Sequence, residues 1–336
     1  MPVTIKQIAQ ETGLSIPTVS RILNKNGQGH RSETTNRVLE TARRLGYRVN
    51  SSAQATRRGH FGSVGLLLST IGSRSILPRA LMEGILDALA ERDLRLVLSR
   101  LPDERLTSED FMSRMLRESA SDGLLINYNA MIPEPLIALI EQYQIPAVWI
   151  NSRHSSDCVF PDDRLGAFEG TEQLIELGHR RIAYVDFIVG FHYSTEERLQ
   201  GYLAAMEKHG LEPILVPKLG EFERMPYFAE VLTKPDRPTA VLTYSPQSMQ
   251  PVLFAAYETR CRIPEDFSLL TFDETSGEHL GKRIGTMLLP QYDMAQTAIE
   301  MLMEKIKDPQ VVLPPRGCRL NYRPGDTCKP RSVPVS

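Results

Sequence analysis

Two hydrophobic rhythms divide the chain near residue 60. Before that point, apolar residues recur at helical spacing. Thr4-Ile5-Lys6-Gln7 has the form of a capping box, with Thr4 capping a helix and Gln7 reaching back. Ile5, Ile8 and Ala9 then share one face, and Gly13 suits the left-handed residue that ends the helix. Ser15 predicts the next cap, ahead of Ile16-Pro17-Thr18-Val19-Ser20-Arg21-Ile22-Leu23-Asn24. Pro17 is tolerated because its missing N–H would have no helical partner in the first turn. Val19, Ile22 and Leu23 face inward, which leaves Ile16, Pro17, Thr18, Ser20 and Arg21 outward. A third helix starts near Ser32, buries Val38, Leu39, Ala42 and Leu45, and ends at Gly46. Two short helices joined by a glycine turn and braced by a third predict an all-α helix-turn-helix head. Spacing alone suits any small three-helix bundle equally well.

From Ser63 the pattern changes to short apolar runs at 64–68, 94–99, 123–127, 147–150, 182–185, 240–244 and 268–272. Amphipathic stretches at 79–92, 108–118, 135–143, 165–177, 194–209, 246–259 and 292–307 separate them. Strict alternation predicts parallel sheets covered on both faces. Roughly 270 residues is long for one such sheet, so the pattern predicts an α/β domain of two lobes. Open sheets of this kind bind ligands at the carboxyl ends of their strands. Asn151 and Asp273 each follow a predicted strand and are therefore expected to face the cleft. Ser194-x-x-Glu197 reads as another capping box, which places Arg198 in the first turn of its helix.

Charge sharpens the division. The whole chain holds 39 Lys and Arg against 41 Asp and Glu, a formal charge of −2 that taken alone argues against nucleic acid. Residues 1–60, however, hold ten basic and three acidic residues, giving +7, whereas the rest carries −9. A +7 head suits phosphate contact and favours the DNA-binding reading over a neutral bundle. No run of about 18 apolar residues exists, so no membrane-spanning helix is expected. Met-Pro-Val-Thr-Ile-Lys-Gln lacks the apolar core of a secretion signal, and a cytoplasmic location is expected. Cys158, Cys261, Cys318 and Cys328 form no CxxC pair, so they read as ordinary reduced thiols and no metal is expected. Gly27-Gln28-Gly29 lacks the third glycine of a dinucleotide loop, and no Gly-x-Ser-x-Gly, Walker loop or His-Glu-x-x-His occurs. No catalytic residue, enzymatic activity or cofactor is therefore expected.

The head resembles the lactose-repressor (LacI/GalR) family of bacterial transcription regulators. Val3-Thr4-Ile5-x-x-Ile8-Ala9, then Gly13-Leu14-Ser15-x-x-Thr18-Val19-Ser20-Arg21-x-Leu23-Asn24, carry the likeness. It continues through Arg37-Val38, Leu45-Gly46-Tyr47 and Asn50, with the loop from Lys25 to Arg31 about one residue longer than usual. The resemblance implies that Ile16, Pro17 and Arg21 read bases in the major groove. Arg21 would grip guanine O6 and N7, Ile16 would pack on a thymine methyl, and Pro17 would supply shape. Thr4, Ser15, Thr18, Ser20, Asn24, Tyr47 and Asn50 would contact phosphates and set register. The segment from Asn50 to Gly59 looks like the family's hinge helix, implying minor-groove contacts by Ala53, Thr56 and Arg57. The usual wedge there is leucine; Thr56 cannot unstack a base step as leucine does, which shifts the burden to Arg57 and Arg58.

The body carries the same resemblance through Asp162-Asp163-x-x-Gly166-Ala167 and Leu174-x-x-Leu177-Gly178-His179-Arg180-Arg181-Ile182-Ala183. Arg198-Leu199-x-Gly201-Tyr202, Arg237-Pro238-Thr239-Ala240-Val241, Ile263-Pro264-Glu265-Asp266 and Phe272-Asp273 extend it. It implies an effector domain like the periplasmic sugar-binding proteins, with Asn151, Arg198, Asp273 and Gln291 on the effector and residues 71–78 as a wall. Arg198 and Asp273 would form an acid–cation pair that grips hydroxyls or a carboxylate. Tyr244-Ser245-Pro246 replaces the usual Asn-Asp pair, Asn151 replaces a common aspartate, and the usual Asn-Pro-Phe-Phe segment is absent. Lost carboxylates make an ordinary hexose less suitable than a modified, acidic or phosphorylated sugar, or a ligand that is not a sugar.

The resulting plan is a helix-turn-helix domain at 1–49, a hinge helix or linker at 50–61, a two-lobed effector and dimerisation domain at 62–325, and a tail at 326–336. Lobe 1 takes 62–161 and 292–325; lobe 2 takes 162–291. A homodimer would bind near-palindromic double-stranded operator DNA as a repressor, and a sugar or sugar derivative would shift the lobe angle. No heptads follow Lys307, so no coiled-coil tetramer is expected. The alternatives are a constitutive regulator with an unresponsive cleft, and a transport receptor, which the basic head opposes.

Overall fold

The computed structural model describes residues 3–24, 31–47, 60–101, 121–188, 192–279 and 281–331. The chain divides into two compact units, Met1–Gly62 and Ser63–Ser336. In the first, α1 (Ile5–Thr12), α2 (Ile16–Asn24) and α3 (Ser32–Leu45) pack around Ile8, Ala9, Val19, Ile22, Val38 and Ala42. The Thr4 N–H donates to Gln7 Oε1 at 2.8 Å, so the glutamine reaches back over the first turn. Thr18 N–H donates to Ser15 Oγ at 3.3 Å, and Ser15 thereby caps α2. Gly13 and Gly46 both adopt positive φ, the conformation that lets each helix stop within one residue. An ion pair between Arg44 and Glu11 ties α3 to α1. Leu39 is only half-buried and lies outside the central cluster. Hinge residues Asn50, Ala53, Thr56 and Arg57 lie outside the described residues, as does the helix expected at 108–118.

The second unit contains two six-stranded sheets. The first has the order β13-β5-β4-β3-β1-β2, from β1 (Ser63–Ser69), β2 (Arg95–Leu101), β3 (Gly123–Asn127), β4 (Ala147–Ile150), β5 (Cys158–Pro161) and β13 (Arg316–Cys318). All its pairings are parallel. The second has the order β14-β12-β9-β8-β6-β7, from β6 (Ile182–Val185), β7 (Ile214–Leu215), β8 (Ala240–Thr243), β9 (Ser268–Asp273), β12 (Gly285–Leu288) and β14 (Asn321–Arg323). Only β14 runs antiparallel there. A small hairpin joins β10 (Glu278–His279) to β11 (Lys282–Arg283). β1, β3, β4, β6 and β8 are buried at every residue, because helices cover both faces of each sheet.

The first sheet is flanked by α4 (Arg79–Ala90), α5 (Glu134–Gln142) and α10 (Gln291–Lys307). The second is flanked by α6 (Asp163–Glu176), α7 (Ser194–Lys208), α8 (Glu221–Thr233) and α9 (Pro246–Glu258). The chain crosses between lobes after β5, after β12 and after β13. The third crossing corrects the expected lobe limits: β14 pairs with β12, so the first lobe's share ends at Cys318 and not at 325. Residues 326–331 stay with the second lobe, where Thr327 Oγ1 accepts from the Gly285 N–H at 2.8 Å. Strands of three or four residues carry too little periodicity to announce such a return.

The α6–α7 crossing sets the position of Arg198. Gly201 sits where a Cβ would fall on the Arg164 carbonyl oxygen and within 2.8 Å of the Ala167 Cβ. Backbone on one side leaves little room to yield. Gly201→Ala is expected to destabilise by about 1–3 kcal/mol, the usual cost of an overpacked core site. Urea unfolding with tyrosine fluorescence checks it; an unchanged midpoint would show that the two helices slide apart freely.

Candidate functional site

On the head, the outward face of α2 is as the helical spacing predicts. Ile16 is 49% exposed, an unusual setting for isoleucine, and Pro17 and Arg21 are exposed beside it. Thr4 and Ser15 are exposed, and Thr18, Ser20 and Tyr47 are half-buried around the same helix. Ser15 Oγ and Thr18 Oγ1 share a 2.8 Å hydrogen bond at its amino end. Helix amino ends present free N–H groups and a positive dipole, which favours a phosphate there.

In the body, Asn151 follows β4, Asp273 ends β9 and Gln291 opens α10, all at carboxyl ends of parallel strands or just beyond them. Asn151 has φ +54°, a region that asparagine enters more readily than most residues. Its carbonyl accepts from His192 Nε2 at 3.2 Å, and its Oδ1 accepts from the Tyr193 hydroxyl at 3.4 Å. A carbonyl only accepts, so His192 carries its proton on Nε2, and Nδ1 takes the Ser194 hydroxyl at 2.6 Å. Ser194 Oγ also shares a 2.7 Å bond with the Tyr244 hydroxyl. Arg153 reaches Glu197 of α7 at 2.5 Å, a second contact between lobes.

Arg198 corrects the expected acid–cation pair. Its Nε donates to Asp163 Oδ1 at 2.7 Å and one terminal nitrogen donates to the Tyr244 carbonyl at 2.6 Å, so its partner is Asp163 and not Asp273. The guanidinium lies 4.6 Å from the Tyr244 ring centroid and 4.4 Å from that of Phe272. Burial is the largest single influence on its pKa and lowers it, but the charge and hydrogen bond of Asp163, together with Tyr244 and Tyr184, raise it overall, and the guanidinium stays charged. Arg198 is also the fifth residue of α7, past the first turn. Ser194 does not cap: it is already helical and spends its hydroxyl on His192 and Tyr244, while Glu197 turns to Arg153.

Asp273 is half-buried, and burial pushes its carboxyl pKa up against the opposing Glu274 N–H. Glu274 is raised for the same reason, with the Asp273 charge adding to it. Among the described residues, Asn129 Oδ1, Asp163 Oδ2 and Gln291 Oε1 are buried acceptors with no hydrogen-bond partner. Each lies just beyond a strand's carboxyl end, so the described cleft region is rich in acceptors, and the buried Arg198 there is already paired with Asp163.

Residues 4–50 match the model of the bacterial regulatory proteins of the lacI family, and residues 171–328 match that of a periplasmic binding protein-like domain. The lacI-family match thus falls on the helix-turn-helix head, and the periplasmic binding protein-like match falls on the two-lobed body. The HTH-type transcriptional repressor PurR of Shigella dysenteriae serotype 1 is 29% identical over 316 residues, 90% of each chain. A lac repressor dimer bound to operator and the anti-inducer ONPF superposes with a TM-score of 0.77 at 20% identity, covering 97% of this chain and 99% of that one. The regulator CelR in complex with cellobiose gives 0.63 at 21% identity, covering 97% and 100%. These solved structures share the fold.

Sequence reasoning missed Asp163, His192, Tyr193 and Tyr244, which the structure gathers around Asn151 and Arg198. Asp163 was visible in the Asp162-Asp163 pair, where the neighbouring Asp162 takes the capping role by accepting from the Leu165 N–H at 3.2 Å. The histidines carry a testable consequence. Burial lowers the pKa of His154, His179 and His192 from the ordinary 6.5. A group whose folded pKa is depressed binds fewer protons when folded, so stability rises with pH between the folded and unfolded values. The melting temperature is therefore expected to fall as pH drops below 6.5, and the slope should lessen in His192→Gln. A flat profile from pH 7 towards 5 in the wild type would refute neutral histidines in the fold.

Proposed function

We propose that the chain is a sequence-specific DNA-binding transcriptional regulator, a repressor that acts as a homodimer on a near-palindromic operator. The observation that carries this reading is the exposed face of α2, with Ile16, Pro17 and Arg21 outward on a helix-turn-helix frame matched by the lacI model. Arg21 and Ile16 read bases in the major groove, while Thr4, Ser15, Thr18, Ser20, Asn24, Tyr47 and Asn50 hold phosphates. Ala53, Thr56 and Arg57 take the hinge contacts in the minor groove. Leu86 and Leu98 on one lobe and Phe222, Phe254 and Tyr257 on the other expose large apolar side chains of the kind a homodimer covers. No helix among the described residues is long and apolar enough to cross a membrane, and the reading places the protein in the cytoplasm, with its operator. It assigns the chain no catalytic step. Selection from a random duplex pool tests it: a two-fold symmetric site is expected to enrich, and failure to enrich one removes the reading.

The effector is a small molecule held between the lobes by Asn151, Arg198, Asp273 and Gln291, with Asp163 added. Unpartnered acceptors call for a ligand with many donors, and Arg198 has no charge to spare for an anion. An uncharged sugar or sugar derivative fits better than an acidic or phosphorylated one, which narrows the earlier expectation. The CelR–cellobiose complex, and a regulator from Enterococcus faecium with bound ribose, give the class precedent. A saturating ligand at about 100 times its Kd is expected to stabilise by about 2.7 kcal/mol, and a thermal-shift panel reads this directly. The His192–Asn151 and Arg153–Glu197 contacts favour one second reading, a constitutive regulator whose own side chains hold the cleft. Operator binding that persists while no sugar shifts the melting temperature selects that alternative.

A further inference from the structure

Three turns and the last described stretch of chain meet at one end of the second lobe. β6, β8 and β9 are parallel neighbours, so the turns that enter them, at 179–181, 234–239 and 262–267, lie side by side at their amino ends. Asp273 and the other proposed effector residues belong to the opposite, carboxyl ends. The chain after β14 returns over the same turns: the Lys329 N–H donates to Ser268 Oγ at 3.1 Å and the Arg331 N–H to the Leu177 carbonyl at 2.8 Å. Together these segments bound a cavity of about 570 Å³, within the usual range of small-molecule sites.

Charge sets this cavity apart. Residues 61–336 carry −9, yet five basic and three acidic side chains line it. Arg181 pairs with Asp236 at 3.3 Å, Arg237 with Asp266 at 3.6 Å, and Lys234 with Glu230, outside the cavity, at 2.9 Å. Among the described residues nothing pairs with the Lys329 ammonium or the Arg331 guanidinium, and Glu265 is the one lining carboxylate without an ion pair. The floor adds no countercharge. Phe267 and His179 are buried there, and the His179 ring nitrogens are taken by the Thr239 and Ser268 hydroxyls at 3.1 and 2.9 Å. Burial does most to lower the His179 pKa, the Arg331 and Arg180 charges lower it further, and a Lys329 backbone hydrogen bond opposes them only in part. The Arg331 charge is therefore felt at the floor of the cavity.

We propose that this cavity is an anion site, for a small molecule with two or more phosphate or carboxylate groups held by Lys329 and Arg331. One negative charge would satisfy one of these cations and leave the other alone, whereas two satisfy both. Arginine adds the paired N–H donors that fit an oxyanion. Arg181 and Lys234 on the facing turns can join the grip, because their own ion pairs are solvent-exposed and weak. An occupant would thus tie the chain after β14 to the turns before β6 and β8. The site uses none of the proposed effector residues and stands without that reading.

The test is isothermal titration calorimetry of the full chain with sodium pyrophosphate, and separately with citrate, at low salt, where charges are screened least. At least one probe is expected to bind with a Kd of about 1 mM, a range suited to so small a ligand. Lys329→Ala/Arg331→Ala should weaken it about tenfold, the worth of two exposed ion pairs together. Glu265→Gln should tighten it roughly twofold by removing the uncommitted negative charge. The head is basic too, so Arg37→Ala/Arg43→Ala removes equal charge there and should leave the affinity unchanged. Circular dichroism confirms that each variant is folded. Binding of pyrophosphate alone or of citrate alone supports the site and assigns its ligand to phosphates or to carboxylates. No binding of either probe, an affinity indifferent to Lys329→Ala/Arg331→Ala, or no tightening in Glu265→Gln overturns the site. Equal weakening by the two double variants also overturns it, because the probe would then follow positive charge wherever it lies.

Discussion

Removing the Asp163 carboxylate is expected to cost the two-lobed unit about 3–5 kcal/mol, the penalty for stranding one member of a buried ion pair. For a unit of this size that is a fall of roughly 6–15 °C in melting temperature. The two side chains are 0% and 6% exposed, and the guanidinium is closed in by the Tyr244 and Phe272 rings, so water has little access to replace the lost charge. Arg198→Ala should be costly for the converse reason, leaving Asp163 buried with neither oxygen paired. The double variant Asp163→Leu/Arg198→Met discriminates: it should be less destabilised than either single change, because no charge remains buried. Arg283 and Asp326 give the contrast. There the carboxyl is held down to about 2 by the Arg283 hydrogen bonds, yet the side chains are 73% and 45% exposed. Asp326→Asn should therefore leave the melting temperature nearly unchanged. Equal effects at the two sites in scanning calorimetry would show that burial does not set the cost.

The difference between those pairs also explains what the sequence reveals. Three helices of the head were legible because each has a marked apolar stripe, and α1 and α3 also end at a glycine. The doubly covered sheets were legible because fully buried strands read as uninterrupted apolar runs, such as Leu66-Leu67-Leu68 in β1. α8 escaped notice because Pro226 lies inside it, and proline in a helical pattern reads as a break. β13 and β14 are only three residues long, so their lobe depends on pairing partners distant in sequence. The cleft was legible in position but not in partnership. Spacing places Asp273 at a strand end and Arg198 near the start of its helix, but which carboxylate meets the guanidinium depends on where α6 and α7 cross. That crossing is fixed by contacts such as the one Gly201 makes with Ala167, which neither helix's own periodicity contains.

Arg21→Ala is expected to lose the operator at one base position in particular. An exposed arginine on the outward face of α2 carries a planar fork of donors that matches guanine O6 and N7 together. Loss of that bidentate contact costs about 1–3 kcal/mol of discrimination. Affinity for the selected site should fall by roughly 5- to 150-fold, whereas affinity for an unrelated duplex should fall far less. Charge cannot substitute for shape: Arg21→Lys keeps the cation yet loses the fork, so it should restore non-specific binding more fully than selectivity. Ser20→Ala, a proposed phosphate contact, should weaken specific and competitor duplexes by the same factor, because phosphates carry no sequence. Competition gel shifts at one fixed salt concentration separate the three cases, since non-specific affinity varies steeply with salt. If Arg21→Ala enriches the same symmetric site with the same selectivity as the wild type, α2 is not the helix that reads bases. The +7 charge of the head would then account for attraction to DNA, with sequence choice made elsewhere.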